Sequence, residues 1–225
     1  MKLRIASLTL LCLALAVIPA SAQILYDNGP ANGTVDAWMI NFSHAVSDSF
    51  TLSAASTVVG FDFTVWAYPG DTALTVDWSI TSDAFVGTTY GSGTASVIST
   101  FVSSNQYGYN IDRLTASGLY VGLGAGTYWL NLQNATTSFG NPVYWDENSG
   151  PSSASWSPSW NAVGTIASEA FDVRGTPCIG CGCYADGGTC KADPTPEPSS
   201  IVLFGSGLFG SGLLGLAGAV RRKLF

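Results

Sequence analysis

Basic side chains are almost missing from the body of this chain. Between Gln23 and Pro198 only Arg113, Arg174 and Lys191 are cationic, against fifteen acids, so that stretch carries a formal charge of −12. A surface this acidic repels phosphate backbones, which excludes nucleic acid as a partner. Histidine occurs once, as His44. That count excludes a histidine-rich zinc or iron centre. It leaves a Ser-His-Asp triad one place to start, and the chain holds no G-x-S-x-G elbow. The only adjacent carboxylates that suggest glycoside hydrolysis, Asp146 and Glu147, would point to opposite faces of a strand and not flank one bond. No helical stripe fills a dozen-residue window before Ile201, and no repeat recurs at a fixed period, which argues against a propeller or solenoid. These absences favour a non-enzymatic protein.

What remains is rich in Gly, Ser, Thr, Val, Trp and Tyr, a mixture suited to strands and tight turns. Alternation is the main signal. Phe61, Phe63 and Val65 share one face, with Asp62, Thr64 and Trp66 on the other; Leu74, Val76, Trp78 and Ile80 repeat the pattern beyond the turn composition Tyr68-Pro69-Gly70-Asp71. The two runs predict an antiparallel hairpin. Further period-two runs occur at Trp38/Ile40/Phe42, Phe50/Leu52, Leu119/Val121/Leu123, Tyr128/Leu130/Leu132 and Phe171/Val173. Nine to eleven short strands with glycine-rich turns imply an all-β fold. An antiparallel β-sandwich, jelly-roll-like, is the expectation, and a closed barrel is the alternative. The Ser/Pro/Trp-rich segment 148–165 predicts a long loop.

Within the body, the aromatics lead the functional reading. Trp129 shares the outward face of its strand with Asn131 and Gln133, and Trp66 lies beside Asp62 and Thr64. An outward indole among amides and hydroxyls suits a sugar ring, so Trp66, Trp129, Asn131 and Trp145 are the candidate glycan-binding residues. The opposing expectation is that these rings are covered, forming a second hydrophobic cluster, or that they meet a protein partner. Asp146, Glu147 and Asn148 offer clustered hard oxygens and are the candidate calcium ligands, against an ordinary polar loop. No other cofactor is implied.

Both ends carry addresses. Lys2 and Arg4 precede the apolar run Ile5–Ile18 and the small-residue site Ala20-Ser21-Ala22, so residues 1–22 read as a signal peptide. Residues 201–220 hold no charge, and twenty helical residues span ~30 Å, the thickness of a bilayer core. Arg221, Arg222 and Lys223 follow, a cluster that stays on the cytoplasmic side. Between body and helix, Cys178, Cys181, Cys183 and Cys190 fall in a stalk at 176–195. In an exported chain four clustered cysteines predict two disulfides, with the pairing open; a metal site is the weaker alternative because the spacing departs from a zinc ribbon.

The motif Pro196-Glu197-Pro198, the apolar helix and the Arg221-Arg222 tail together resemble the PEP-CTERM sorting signal of bacterial exported proteins. The resemblance covers about 194–225. It implies cleavage near the motif by exosortase, a membrane protease, so the helix anchors the protein transiently before it reaches the cell surface or the extracellular space. It also implies a setting of exopolysaccharide production. The body 23–175 is similar to β-sandwich ectodomains of that family through Phe61-Asp62-Phe63-Thr64-Val65-Trp66, Gly126–Asn134 and Val143-Tyr144-Trp145-Asp146. That likeness implies no catalytic residue. The expected function is a non-enzymatic surface or matrix protein associated with glycans. The alternatives are adhesion through protein contacts and, more remotely, a secreted polysaccharide hydrolase.

Overall fold

The computed structural model describes residues 22–158 and 164–178. The signal sequence up to Ser21, the sorting motif, the Ile201–Val220 helix and Cys181, Cys183 and Cys190 lie outside them. Among the described residues no helix is long and apolar enough to cross a membrane.

Twelve strands make an all-β, antiparallel structure: β1 (Gln23–Asp27), β2 (Ala37–Met39), β3 (His44–Leu52), β4 (Ser56–Ala67), β5 (Ala73–Asp83), β6 (Val86–Ser104), β7 (Asn110–Leu123), β8 (Gly126–Thr137), β9 (Val143–Asp146), β10 (Ala154–Pro158), β11 (Gly164–Ile166) and β12 (Phe171–Pro177). Hydrogen bonding runs continuously in the order β1-β12-β4-β7-β6-β5-β8-β3-β10-β11, with β9 joining β2 to β4. The continuity comes from β6. Its first half, Val86–Ser96, pairs with β5, and its second half, Val97–Ser104, pairs with β7. One long strand therefore passes from one half of the sheet to the other.

Residues from both halves share a single apolar cluster. Val46, Phe50 and Leu52 of β3, Val76 and Ile80 of β5 and Leu130 and Leu132 of β8 meet Phe61, Phe63 and Val65 of β4, Leu114 of β7, Trp145 of β9 and Phe171 of β12. The period-two pattern explains which side chains enter the cluster, Phe61, Phe63 and Val65 on β4 and Tyr128, Leu130 and Leu132 on β8; β4 is covered on its other face as well.

Pairing departs from the sequence expectation in two places. The runs on β4 and β5 do not form a hairpin. β4 pairs with β7, β9 and β12, while β5 pairs with β6 and β8. The Tyr68–Asp71 turn closes as expected, Asp71 N–H donating to Tyr68 O at 3.0 Å with Gly70 at φ 85°, but the chain leaves it for the other half of the sheet. Local turn chemistry fixes a reversal without fixing which strand lies alongside. In the segment 148–165, expected as a loop, β10 and β11 pair with each other and extend the sheet from β3.

At the end of the body, Cys178 follows β12. Its N–H donates to Ala55 O at 2.8 Å, and its Sγ lies 4.0 Å from Thr57 Oγ1.

Candidate functional site

Three of the four aromatic and amide residues predicted to bind glycan are buried. Trp145 is fully inside the core, where Phe63 and Phe171 meet its ring edge-on at 6.1 and 5.5 Å and its Nε1 donates to Ala170 O at 3.1 Å. Trp66 does fall on the polar face of β4, but it is buried there: its ring stacks on Tyr107 at 5.7 Å and meets Tyr109 at 5.9 Å, and Asp146 accepts from its Nε1 and from the N–H groups of Asn32 and Gly33, the latter two at 2.8 Å. Asn131 spends its amide inside the protein, donating to Ser79 Oγ and Thr81 Oγ1 at 3.0 and 2.8 Å and accepting from Phe85 N–H at 2.9 Å. Only Trp129 is half-exposed. Alternation assigned the faces; segments distant in sequence decided whether those faces meet solvent.

The calcium candidates are likewise engaged. Asp146 accepts the three N–H groups just named, and burial raises its pKa despite those bonds. Asn148 Nδ2 donates to the carbonyls of Asn28, Gly29 and Pro30, and Glu147 Oε2 accepts from Trp38 Nε1 at 3.2 Å. Their side chains serve different partners. Among the described residues no group of three or more His, Cys, Asp or Glu side chains converges to hold a metal ion.

Sequence reasoning missed a site at the loop end of β8. An open cavity of about 460 Å³ is lined by Asn41, Phe42, Asn134, Thr136 and Asn141, among others. The period-two run Trp38/Ile40/Phe42 predicts a strand that includes Phe42. Instead β2 stops at Met39, the 41–44 reversal closes by His44 N–H donating to Asn41 O at 3.0 Å, and Phe42 is 58% exposed. Both central residues of that turn have positive φ, 51° at Phe42 and 66° at Ser43. Such a turn normally takes Asn or Gly, and a bulky residue there costs ~1–3 kcal/mol. Across the cavity Asn134 is also left-handed, at φ 47°, where the β8–β5 register slips. Strained non-glycine residues cluster at functional positions.

The far wall is held rigid by one carboxylate. Asp71 accepts six hydrogen bonds: from Thr72 N–H, Thr137 Oγ1, Ser138 Oγ, Phe139 N–H, and both the backbone and the side-chain amide of Asn141, at 2.7–3.3 Å. Burial alone would raise its pKa, but the donors from Thr137, Ser138, Phe139 and Asn141 prevail and hold it far below the usual carboxylate range. The loop so fixed presents Phe139, 77% exposed. The site thus offers exposed aromatic rings, uncharged amides and hydroxyls on a preorganised frame. It has no nucleophile–base pair. His44, the one histidine, stacks on Trp156 at 5.4 Å and holds its Nδ1 2.9 Å from Phe42 O.

A second unusual locus lies deeper. Glu169 is fully buried, and among the described residues neither carboxylate oxygen has a hydrogen-bond partner. Burial first, then the charges of Asp48, Glu147, Asp146 and Asp36, drive its pKa well above normal. Neighbouring Asp48, fully buried, accepts from Glu169 N–H at 2.7 Å and Ser49 N–H at 2.6 Å; burial nonetheless lifts its pKa to about 6. Burial without a hydrogen-bond partner favours the neutral form of a carboxyl.

No protein-family model matches this chain, and no curated protein matches it.

Proposed function

We propose that this is an exported, non-enzymatic surface or matrix protein, a jelly-roll sandwich that uses its Phe42 cavity to hold neutral glycans. The nested pairs β3–β8, β4–β7 and β5–β6, with β1–β12 outside them, support the jelly-roll reading. The terminal resemblance supports export, sorting by an exosortase-type protease and a polysaccharide-rich setting. One observation carries the binding site: an exposed phenyl ring held in a left-handed turn beside amides and hydroxyls, over a cavity large enough for a sugar unit. Aromatic faces carry negative charge density that attracts the C–H edges of a pyranose, and the neighbouring polar groups can read its hydroxyls. The acidic body favours neutral over anionic polysaccharides.

Glycan-array binding and affinity electrophoresis of the full chain test this. Neutral polysaccharide should be retained, and Phe42→Ala should weaken it about tenfold, which is ~1.4 kcal/mol, with an unchanged circular dichroism spectrum. Trp129→Ala should have little effect. Loss on Trp129→Ala with binding intact in Phe42→Ala would move the site along the outward face of β8 to Trp129. A chain that binds no glycan but captures protein through the same rim would favour adhesion.

A further inference from the structure

The longest strand is also an edge. Among the described residues each half of β6 has one partner strand, so one row of its backbone N–H and C=O groups is unpaired by them, and most of its residues are exposed. Natural edges are blunted by charge, proline or irregularity. This one has little of that. From Ala84 to Ile111 no residue is charged and none is proline. The register slips only near the ends, between Ile80 and Asp83 on the facing strand and between Phe101 and Ser103, which leaves Gly91–Phe101 regular. Along the second half Ile98, Phe101 and Val102 are 70%, 60% and 56% exposed.

We infer that the Val97–Phe101 edge of β6 pairs antiparallel with the same edge of a second copy of this chain. Charge selects that occupant. Two bodies each carrying −10 over residues 23–175 repel wherever acids face one another, and this uncharged strip is a place where they meet without that cost. Geometry agrees: an antiparallel pair of identical strands about a two-fold axis is self-complementary, each residue of one copy facing its mirror position on the other. Pairing supplies the missing main-chain partners and covers Val97 and Phe101 on one face and Ile98 on the other, continuing the sheet of one protomer into that of its partner.

Sedimentation of the full chain in mild detergent, beside hydrogen exchange, tests the inference. The native protein should sediment as a dimer, and the Val97–Phe101 amides should gain protection as concentration rises. The double variant Ile98→Lys/Phe101→Lys replaces exposed side chains and keeps the fold. It should weaken association at least about 100-fold, because like charges would then sit close across the two-fold axis. A native chain that stays monomeric up to about 100 µM overturns the inference. So does a dimer that persists in the double variant, or one whose 97–101 amides exchange as freely as in the monomer, since either places association elsewhere.

Discussion

Asp71 and Glu169 are both buried carboxyls, and they stand at opposite limits. Asp71 meets six donors, which hold its pKa far below the usual range; Glu169 meets none among the described residues, and its pKa is pushed well above that range. Burial pushes both upward; at Asp71, close to the surface, the donors outweigh it, whereas at Glu169 nothing opposes it, and at Asp48 and Asp146 it prevails over several donors. The difference also separates two jobs. The Asp71 loop is a fixed frame at the surface, beside the proposed sugar cavity. The Glu169 region is a part of the interior that hydrogen bonding leaves incomplete, and its acidity is tied to the stability of the fold.

Breaking the satisfied carboxylate should have the larger effect. Asp71→Ala strands the donors of Thr137, Ser138 and Asn141, and should cost about 3 kcal/mol or more at pH 7 in urea unfolding. Glycan binding should fall with it, because the cavity wall loses its frame. A loss below about 1 kcal/mol would mean that solvent replaces the carboxylate readily.

Next in size is Glu169→Gln, which keeps the shape and removes the ionisation. With a raised folded pKa, the native state keeps a proton that the unfolded chain releases. The stabilising contribution is complete below the unfolded value near ~4.5 and is lost as pH rises toward the folded one. The variant should therefore be more stable than the native chain at pH 8 by about 1–3 kcal/mol and equal to it near pH 4. A variant less stable at pH 8 would show that the ionised form finds a partner.

The whole-protein pH profile sharpens the contrast. Asp48, at about 6 when folded, adds to the loss as pH rises from ~4 to 6. Asp71 acts on the other limb: its contribution holds above ~3.9 and fades as pH falls below that. Thermal melting from pH 2 to 9 should show a maximum near pH 4–5. Asp71→Asn should flatten the acid limb alone, and Glu169→Gln the alkaline limb alone. Smallest of all is Phe42→Ala, which removes an exposed ring and should change stability by less than about 0.5 kcal/mol, so any loss of glycan binding reports the site itself.

The faces of individual strands were legible in the sequence. Tyr128, Leu130 and Leu132 turn inward on β8, as do Phe61, Phe63 and Val65 on β4, because pleating forces alternate side chains to one side whatever the neighbours are. The all-β class followed from the same alternation. The candidate site was not legible. Phe42 continued the run Trp38/Ile40 in period, and only the end of β2 and the turn after it put the ring outside. Trp66 sat on a polar face and is buried, because Tyr107 and Tyr109, remote in sequence, pack on its ring and Asp146 takes its Nε1 proton in a hydrogen bond. Glu169 carried no motif. Its backbone N–H is held by Asp48, more than a hundred residues earlier in the chain, whose charge also raises the Glu169 pKa.

Composition and alternation by themselves determined an acidic, all-β body with its apolar residues directed inward, because backbone pleat and side-chain polarity act within a few residues. Tertiary structure alone decided that β4 and β5 part company, that β6 links the two halves of the sheet with one edge open, and which side chains reach solvent. Those outcomes rest on pairings between segments far apart in the chain, where each strand has several hydrogen-bonding partners of similar local merit and the shared core selects among them.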